Sequence, residues 1–214
     1  MRITTLFFDL DDTLYPPRSG LWEAIRERMN EYMMQLLRLP REQVTVIRQS
    51  YLDTYGTTLR GLQHHYQVNA DDYLAFVHDL PLEKYIQPDP RLRKLLLSLP
   101  QRRLVFTNAD ANHARRVMGI LGVEGCFESI IDIRAVHFAC KPEHEAYQRA
   151  LHIAGMDDPR ACLIFDDSER NLAPARSMGF FTVLVSPDQT NHQADLTITS
   201  LHDIPRALPE LWDG

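Results

Sequence analysis

The chain lacks any long hydrophobic run, and no apolar stretch approaches the roughly 18 residues that a membrane-spanning helix requires. The apolar segment of a signal peptide is also missing near the N-terminus, because an acidic cluster begins at Asp9. Neither membrane insertion nor secretion is expected from this pattern. We therefore expect a cytoplasmic protein.

Cysteine is scarce, with three residues in a chain of 214. Cys126, Cys140 and Cys162 cannot all pair within the chain, and their spacing is not that of zinc ligands. His137 and Cys140 would supply half of a zinc site, but no second pair follows at ligand spacing. We expect three buried, reduced thiols, as is usual in a reducing compartment.

An excess of basic residues is absent: 23 Lys and Arg stand against 29 Asp and Glu, for a net charge of −6. A general nucleic-acid-binding protein would show a clustered basic face. We expect neither a nucleic-acid polymer nor a membrane among the partners, and the chain is expected to be a monomer or a homodimer. The length and the 44% hydrophobic content are ample for a buried core that needs no metal or disulfide.

Short runs of β-branched and aromatic residues recur along the chain and predict the buried strands of a parallel sheet. The runs cover Ile3–Leu10, Arg103–Phe106, Ser129–Ile133, Ala161–Phe165, Phe180–Val185 and Leu196–Thr199. Helical spacing is found in the segments Ala111–Leu121, Pro142–Ala154 and, approximately, Leu172–Met178. This alternation predicts a doubly wound, Rossmann-like α/β fold, which binds ligands beyond the carboxyl ends of its strands.

Residues 16–87 interrupt this alternation. They contain no strand-like run, their apolar residues follow helical spacing, and prolines mark both ends of the stretch. We predict an all-helical module at 16–87, inserted after the first strand of an α/β core formed by residues 1–15 and 88–214.

Acidic residues end two of the predicted strands: Asp9-Leu10-Asp11-Asp12 follows the first, and Asp166-Asp167 ends a later one. Carboxylates at the end of a buried strand repel one another and lose solvation, and oxygen ligands of this kind suit Mg²⁺. Taken alone, the first cluster is also compatible with a helix cap or a turn. Thr107-Asn108 ends another strand, and the N–H groups of the helix that follows would favour a phosphate.

Four stretches stand in the order of the motifs of the haloacid dehalogenase superfamily, which the sequence resembles over nearly its whole length. They are FFDLDDTLY (7–15), FTNA (106–109), CKP (140–142) and FDDSERN (165–171). The helical insertion resembles the small C1-type cap of that superfamily. YGTTLRGL (55–62) and FTNADANHA (106–114), together with the opening motif, resemble the pyrimidine 5′-nucleotidase subfamily.

The resemblance implies a phosphatase mechanism. Asp9 would attack phosphorus to form an aspartyl-phosphate, and Asp11 would protonate the leaving alkoxide and then activate water. Thr107 and Asn108 would hold phosphoryl oxygens, and Lys141 would neutralise charge on the nucleophile and on the phosphate.

The resemblance also implies the metal site. Mg²⁺ would bind the Asp9 side chain, the Asp11 backbone carbonyl and Asp167, with Asp166 as a direct or water-mediated ligand. Four carboxylates and a phosphate dianion oppose a single lysine, so the charge balance requires a divalent cation.

The cap is expected to select the substrate. Arg60, within YGTTLRGL, is the predicted contact to base, ribose or phosphate, with an exposed structural arginine as the alternative. His64 and His65 would face either the substrate or solvent. Pro174 departs from the resemblance, and because proline fits only the first turn of a helix, the helix after Asp167 is predicted to start late or to kink.

The predicted function is that of a Mg²⁺-dependent phosphatase that hydrolyses nucleoside 5′-monophosphates such as UMP and CMP. A phosphatase or mutase for sugar phosphates, pyridoxal phosphate or lysophospholipids would keep every catalytic assignment. A non-catalytic phosphoacceptor domain is a remote third hypothesis, since such domains are shorter and lack a helical insertion after the first strand.

Overall fold

The computed structural model describes residues 3–188 and 193–213 and separates into two compact units. The α/β unit takes in the chain up to Arg18 and again from Ile86, and the helical unit is Ser19–Tyr85. The sequence predicted these breaks after residues 15 and 87. Among the described residues, no helix has both the length and the hydropathy needed to cross a bilayer.

The helical unit consists of four α-helices and short connecting turns. The helices are α1 (Leu21–Leu37), α2 (Arg41–Tyr55), α3 (Thr58–Tyr66) and α4 (Ala70–Val77). Thr57 and Asn69 cap α3 and α4 by accepting hydrogen bonds from backbone N–H groups of the first turn. Edge-to-face contacts of Tyr32 with Tyr73 and Phe76 join α1 to α4. Aromatic residues among the helically spaced apolar positions of this unit therefore make packing contacts between helices.

The helices α2 and α3 approach each other closely at Gly61, where a Cβ atom would lie 2.3 Å from Cγ of Tyr51. We expect Gly61→Ala to lower the free energy of unfolding by about 1–3 kcal/mol, because the added methyl group overpacks this contact. A methyl group at the helical residue Gly119 would meet no atom within 4 Å. Gly119→Ala should therefore stabilise by about 0.5–1 kcal/mol. Urea denaturation measures the change in the free energy of unfolding for both variants. Equal changes would contradict the close approach of α2 and α3 at Gly61.

The α/β unit contains one parallel sheet of six strands in the order β3-β2-β1-β4-β5-β6. The strands are β1 (Thr5–Phe8), β2 (Arg102–Phe106), β3 (Ser129–Ile131), β4 (Cys162–Asp166), β5 (Phe181–Val185) and β6 (Leu196–Ile198). The doubly wound α/β prediction is confirmed, and each strand lies within two residues of its predicted run.

Strand β1 lies at the centre of the sheet, with Phe8 opposite Val105 of β2 and Phe165 of β4. The strand order reverses between β1 and β4, which is the point where doubly wound sheets bind their ligands. Because Asp9 directly follows Phe8 and Asp166 directly follows Phe165, the topology alone brings these two carboxylates to the same edge.

Helices of the α/β unit connect its strands or follow them. Those between strands are α5 (Pro90–Ser98), α6 (Ala111–Leu121), α7 (His144–Ala154) and α8 (Glu169–Met178), and α9 (Ile204–Ala207) follows β6. Helix α8 does not start late, since it begins directly after Ser168 and continues through Pro174. The late start predicted from Pro174 was therefore wrong.

A buried aromatic cluster holds β1 under the helices. Phe7 makes edge-to-face contacts with Phe106 and Phe180, and Tyr147 of α7 contacts both of these rings. Aromatic pairs of this geometry add about 0.5–1.5 kcal/mol each beyond the area they bury. Strand β1, which directly precedes Asp9, is thus packed within this cluster.

The three cysteines are free and buried, as predicted.

Candidate active site

A buried lysine joins two carboxylates at the carboxyl edge of the sheet. Nζ of Lys141 lies 2.7 Å from Oδ1 of Asp9 and 2.6 Å from Oδ2 of Asp166. The lysine side chain is fully buried. Burial would lower the pKa of Lys141, but the adjacent Asp166 and Asp9 carboxylates outweigh it and raise that pKa above its usual value. The ammonium group therefore stays charged between the two aspartates.

Asn108 positions the lysine through its backbone. The side-chain amide of Asn108 donates to the Lys141 carbonyl oxygen, and its oxygen accepts from the Lys141 N–H, each at 2.9 Å. This reciprocal pair ties the end of β2 to the Cys140-Lys141-Pro142 segment. The Asn108 side chain is thus engaged with the protein backbone, and a contact of Asn108 with a phosphoryl oxygen stays a prediction.

Asp166 is held by a second set of hydrogen bonds. Its Oδ1 accepts from the Ser168 N–H and from Nδ2 of Asn171, both at 2.9 Å. Its other oxygen contacts Lys141. The resemblance implies that Asp166 is a direct or water-mediated metal ligand. In the structure, one of its oxygens contacts Lys141, and the other accepts hydrogen bonds at the start of α8.

Three carboxylates form a group that would hold a cation. One oxygen each from Asp9, Asp166 and Asp167 lies within 4.8 Å of the others, and these are the only three metal-ligating side chains so grouped within residues 3–188 and 193–213. Burial raises the pKa of Asp9 to about 7, although Lys141 opposes the shift. Burial, followed by the charges of Asp166 and Asp9, raises the pKa of Asp167 to about 9, even though this side chain is partly exposed.

Burial is the main cause of both raised pKa values, and the negative charge of the neighbouring carboxylates adds to it. Oxygen ligands of this number and charge fit Mg²⁺, which would relieve the repulsion. The side chain of Asp11 lies outside the group of three. A contribution of its backbone carbonyl to a metal site stays a prediction.

The Asp11 carboxylate is held by two residues to which the sequence analysis gave no role. The Tyr15 hydroxyl donates to Asp11 Oδ1 at 2.6 Å, and Nε2 of His113 lies 2.9 Å from the same oxygen. Burial and the Asp11 charge raise the pKa of Tyr15 well above its usual value, so the phenol stays protonated. The sequence does indicate that His113 is buried, because it lies four residues before Val117 on the apolar stripe of α6.

The N-terminus of α6 differs from the expectation. Its first N–H groups already bind side chains, because Ala111 donates to Asp132 while Asn112 and His113 donate to Asp110. The prediction that these groups would receive a phosphate was therefore wrong.

Thr107 lies where the sequence analysis put it, directly after β2. It is buried, and its hydroxyl accepts a hydrogen bond from the Ala109 N–H at 3.0 Å. Its contact with a phosphoryl oxygen stays a prediction.

The three residues predicted for substrate contact lie in α3 of the helical unit. Arg60 is half-buried in the first turn, and its N–H donates to Oγ1 of Thr57. His65 hydrogen bonds with the Tyr55 hydroxyl and stacks on the Tyr51 ring, and His64 packs against Tyr55. The histidines thus join an aromatic cluster within their own unit. A role of Arg60 in substrate binding stays a prediction.

Comparison with known proteins agrees with the α/β fold. The family model of haloacid dehalogenase-like hydrolases matches residues 3–179. The chain belongs to this family. Membership in this hydrolase family confirms the superfamily resemblance and makes the Asp9–Lys141–Asp166 cluster its candidate active site.

One curated protein resembles this chain over most of its length. Phosphate metabolism protein 8 of Saccharomyces cerevisiae is 29% identical over 210 residues, which cover 92% of this chain and 65% of that protein. The chain thus spans just under two thirds of the length of this curated relative.

Two solved structures share the fold at low sequence identity. CbbY of Rhodobacter sphaeroides, in complex with phosphate, has a TM-score of 0.68 at 19% identity over 94% of this chain and 96% of that one. YfnB of Bacillus subtilis, bound to magnesium, has a TM-score of 0.63 at 17% identity over 96% and 98%. At these identities the likeness establishes the fold alone.

Proposed function

We propose that this hydrolase is a Mg²⁺-dependent phosphatase of the pyrimidine 5′-nucleotidase type, which hydrolyses UMP and CMP through an aspartyl-phosphate on Asp9. The observation that carries the proposal is the buried Lys141 between Asp9 and Asp166, with Asp167 beside them. A carboxylate paired with a fixed cation, at the switch point of the sheet, is suited to act as a nucleophile toward an anionic ester.

In the proposed reaction, one Asp9 oxygen forms a bond to phosphorus while the bond from phosphorus to the ester oxygen breaks. Asp11 gives its proton to the departing alkoxide and then takes a proton from the water that hydrolyses the aspartyl-phosphate. Lys141 stays charged and neutralises Asp9 as the phosphate approaches. Mg²⁺, held by Asp9 and Asp167 with Asp166 and the Asp11 backbone carbonyl as further ligands, would supply the remaining positive charge.

The residue that favours phosphate esters over halides is Asp11. A halide leaves without a proton, so a dehalogenase has no use for a second acid in this motif. An alkoxide needs one, and a positioned acid contributes about 10²–10⁴-fold to such a step. The hydrogen bonds from Tyr15 and His113 to Asp11 support an acid–base role for this carboxylate.

The substrate assignment rests on the resemblance of YGTTLRGL and FTNADANHA to the pyrimidine 5′-nucleotidases. The names of the relatives are consistent with phosphate chemistry: one is called a phosphate metabolism protein, and another was solved with phosphate. Other small phosphate esters are the second candidate, because they would use the same Asp9, Asp11 and Lys141.

Phosphate release from a defined panel of esters tests the proposal. The panel is UMP, CMP, dUMP, TMP, AMP, GMP, glucose 6-phosphate and pyridoxal phosphate, each assayed with Mg²⁺ and with a chelator. We expect the chelator to lower release at least ~10²-fold, because a transition state rich in negative charge loses its divalent cation. Pyrimidine nucleotides should exceed glucose 6-phosphate at least ~10-fold in kcat/KM, about 1.4 kcal/mol of discrimination.

A thermal denaturation series provides a readout that does not depend on turnover. Mg²⁺ that binds only the folded protein should raise Tm with increasing concentration. A preference for sugar phosphates of ~10-fold or more in kcat/KM would refute the nucleotidase assignment but not the phosphatase activity. No phosphate release from any ester, with no change of Tm in Mg²⁺, would refute the phosphatase.

A further inference from the structure

Two hydrogen-bond partners from different parts of the α/β unit meet on one oxygen of Asp11. The Tyr15 hydroxyl lies 2.6 Å from Oδ1, and Nε2 of His113 lies 2.9 Å from it, although His113 is 102 residues away in sequence. The His113 side chain is fully buried, while 12% of the Asp11 side chain is exposed. The imidazole is therefore held inside the protein next to a carboxylate that is partly exposed.

His113 is in turn held by the first turn of α6. Its N–H donates to Oδ1 of Asp110, at 3.2 Å, and the same oxygen caps the helix at Asn112. Asp132 accepts from the N–H of Ala111 and adds a second anchor to this turn. The imidazole thus extends from a capped helix end, and its position does not depend on a flexible loop.

The two contacts have a consequence for the orientation of the Asp11 carboxylate. A tyrosine hydroxyl next to a carboxylate donates, and Nε2 of a histidine donates when it carries the ring hydrogen. Two contacts on Oδ1 from separate segments of the chain limit the rotation of the carboxylate, whatever other contacts Asp11 makes.

We propose that His113 and Tyr15 are positioning residues that anchor Asp11 through Oδ1 and so orient its carboxylate toward the leaving alkoxide and later toward water. The inference rests on the proposed phosphatase function and deepens it. Neither side chain touches the substrate in this scheme. Each acts through the orientation of the Asp11 carboxylate, because a misplacement of about 1 Å costs as much as ~10²-fold in rate.

Leaving groups of different quality distinguish positioning from a structural role. An alkyl phosphate needs a proton on its departing oxygen, whereas p-nitrophenyl phosphate loses a stable phenolate without one. The ratio kcat/KM reports events up to formation of the aspartyl-phosphate, so the later use of Asp11 as a base does not enter it. Misplacement of the acid therefore slows the first ester and leaves the second nearly unchanged.

The experiment compares the wild type with His113→Phe, Tyr15→Phe and His113→Gln. Each is assayed with p-nitrophenyl phosphate and with the alkyl ester of the panel that the wild type hydrolyses fastest. We expect His113→Phe to lower kcat/KM for the alkyl ester ~30-fold or more and for the nitrophenyl ester less than ~3-fold, since general acids contribute ~10²–10⁴-fold. His113→Gln, which offers a side-chain N–H at a similar distance, should regain most of the loss.

Tyr15→Phe tests the second contact independently and serves if His113→Phe does not fold, which thermal denaturation reveals. Equal losses on the two esters, or a glutamine variant as impaired as the phenylalanine variant, would overturn the positioning role. A wild-type enzyme that hydrolyses neither ester would instead refute the proposed phosphatase, so the two failures are distinguishable.

Discussion

Replacement of Asp9 by asparagine is expected to abolish phosphate release, with kcat lowered ~10⁴-fold or more. An amide oxygen is a poor nucleophile and does not form the acyl phosphate through which the proposed reaction proceeds. The variant should remain folded, because Lys141 keeps Asp166 as an ion-pair partner at 2.6 Å. Initial rates on the best ester of the panel, measured with Mg²⁺, provide the test.

The matched control for this variant is Asp157→Asn, which makes the same chemical change at an exposed position outside the site. We expect it to retain the wild-type rate. Substantial turnover by Asp9→Asn, after its Tm has shown a folded protein, would mean that another residue or a water molecule attacks phosphorus directly.

Replacement of Lys141 by methionine is expected to cost both stability and activity. Its ammonium is the group that contacts the buried carboxylates of Asp9 and Asp166, and both would lose that partner. Breaking a buried ion pair from one side typically costs about 3–5 kcal/mol. Urea denaturation in the presence of a chelator measures this loss, and kcat should fall ~10²–10³-fold because a fixed charge next to the phosphate is lost.

A double variant separates the two effects. Lys141→Met combined with Asp166→Asn removes one of the unpaired charges, and we expect it to regain much of the lost stability. It should regain none of the activity, because Asp9 would still lack the Lys141 ammonium group. If Lys141→Met alone is as stable as the wild type in chelator, the ion pairs do not have the energetic role that their burial indicates.

The site illustrates what the sequence predicts well. Asp9 and Asp166 are distant in the chain, yet each stands at the end of a recognisable strand, so the topology of a parallel sheet predicts that they meet. The place of Lys141 and the functional roles of the three residues are what the resemblance to the haloacid dehalogenase superfamily implied. The order of the motifs that carries this resemblance is read from the sequence without knowledge of side-chain geometry.

The details that the sequence analysis missed are those set by side-chain competition. Asn108 follows a strand, and its pattern along the chain gave no sign that its side-chain amide pairs with the Lys141 backbone. Asp110 and Asp132 occupy the N–H groups of α6 before any ligand reaches them. Such pairings depend on which of several polar neighbours lies nearest, and spacing along the chain does not encode that choice.

The central place of β1 in the sheet also has a consequence for the order of folding. Asp9 directly follows β1, but its partner Lys141 follows 132 residues later, and Asp166 another 25 residues after that. Contacts across such separations form slowly, whereas the neighbouring helices of Ser19–Tyr85 pack through nearby segments. We therefore expect the helical unit to fold before β1 pairs with β2 and β4. Lys141 and Asp166 are translated after Asp9, so the candidate site is expected to be assembled last.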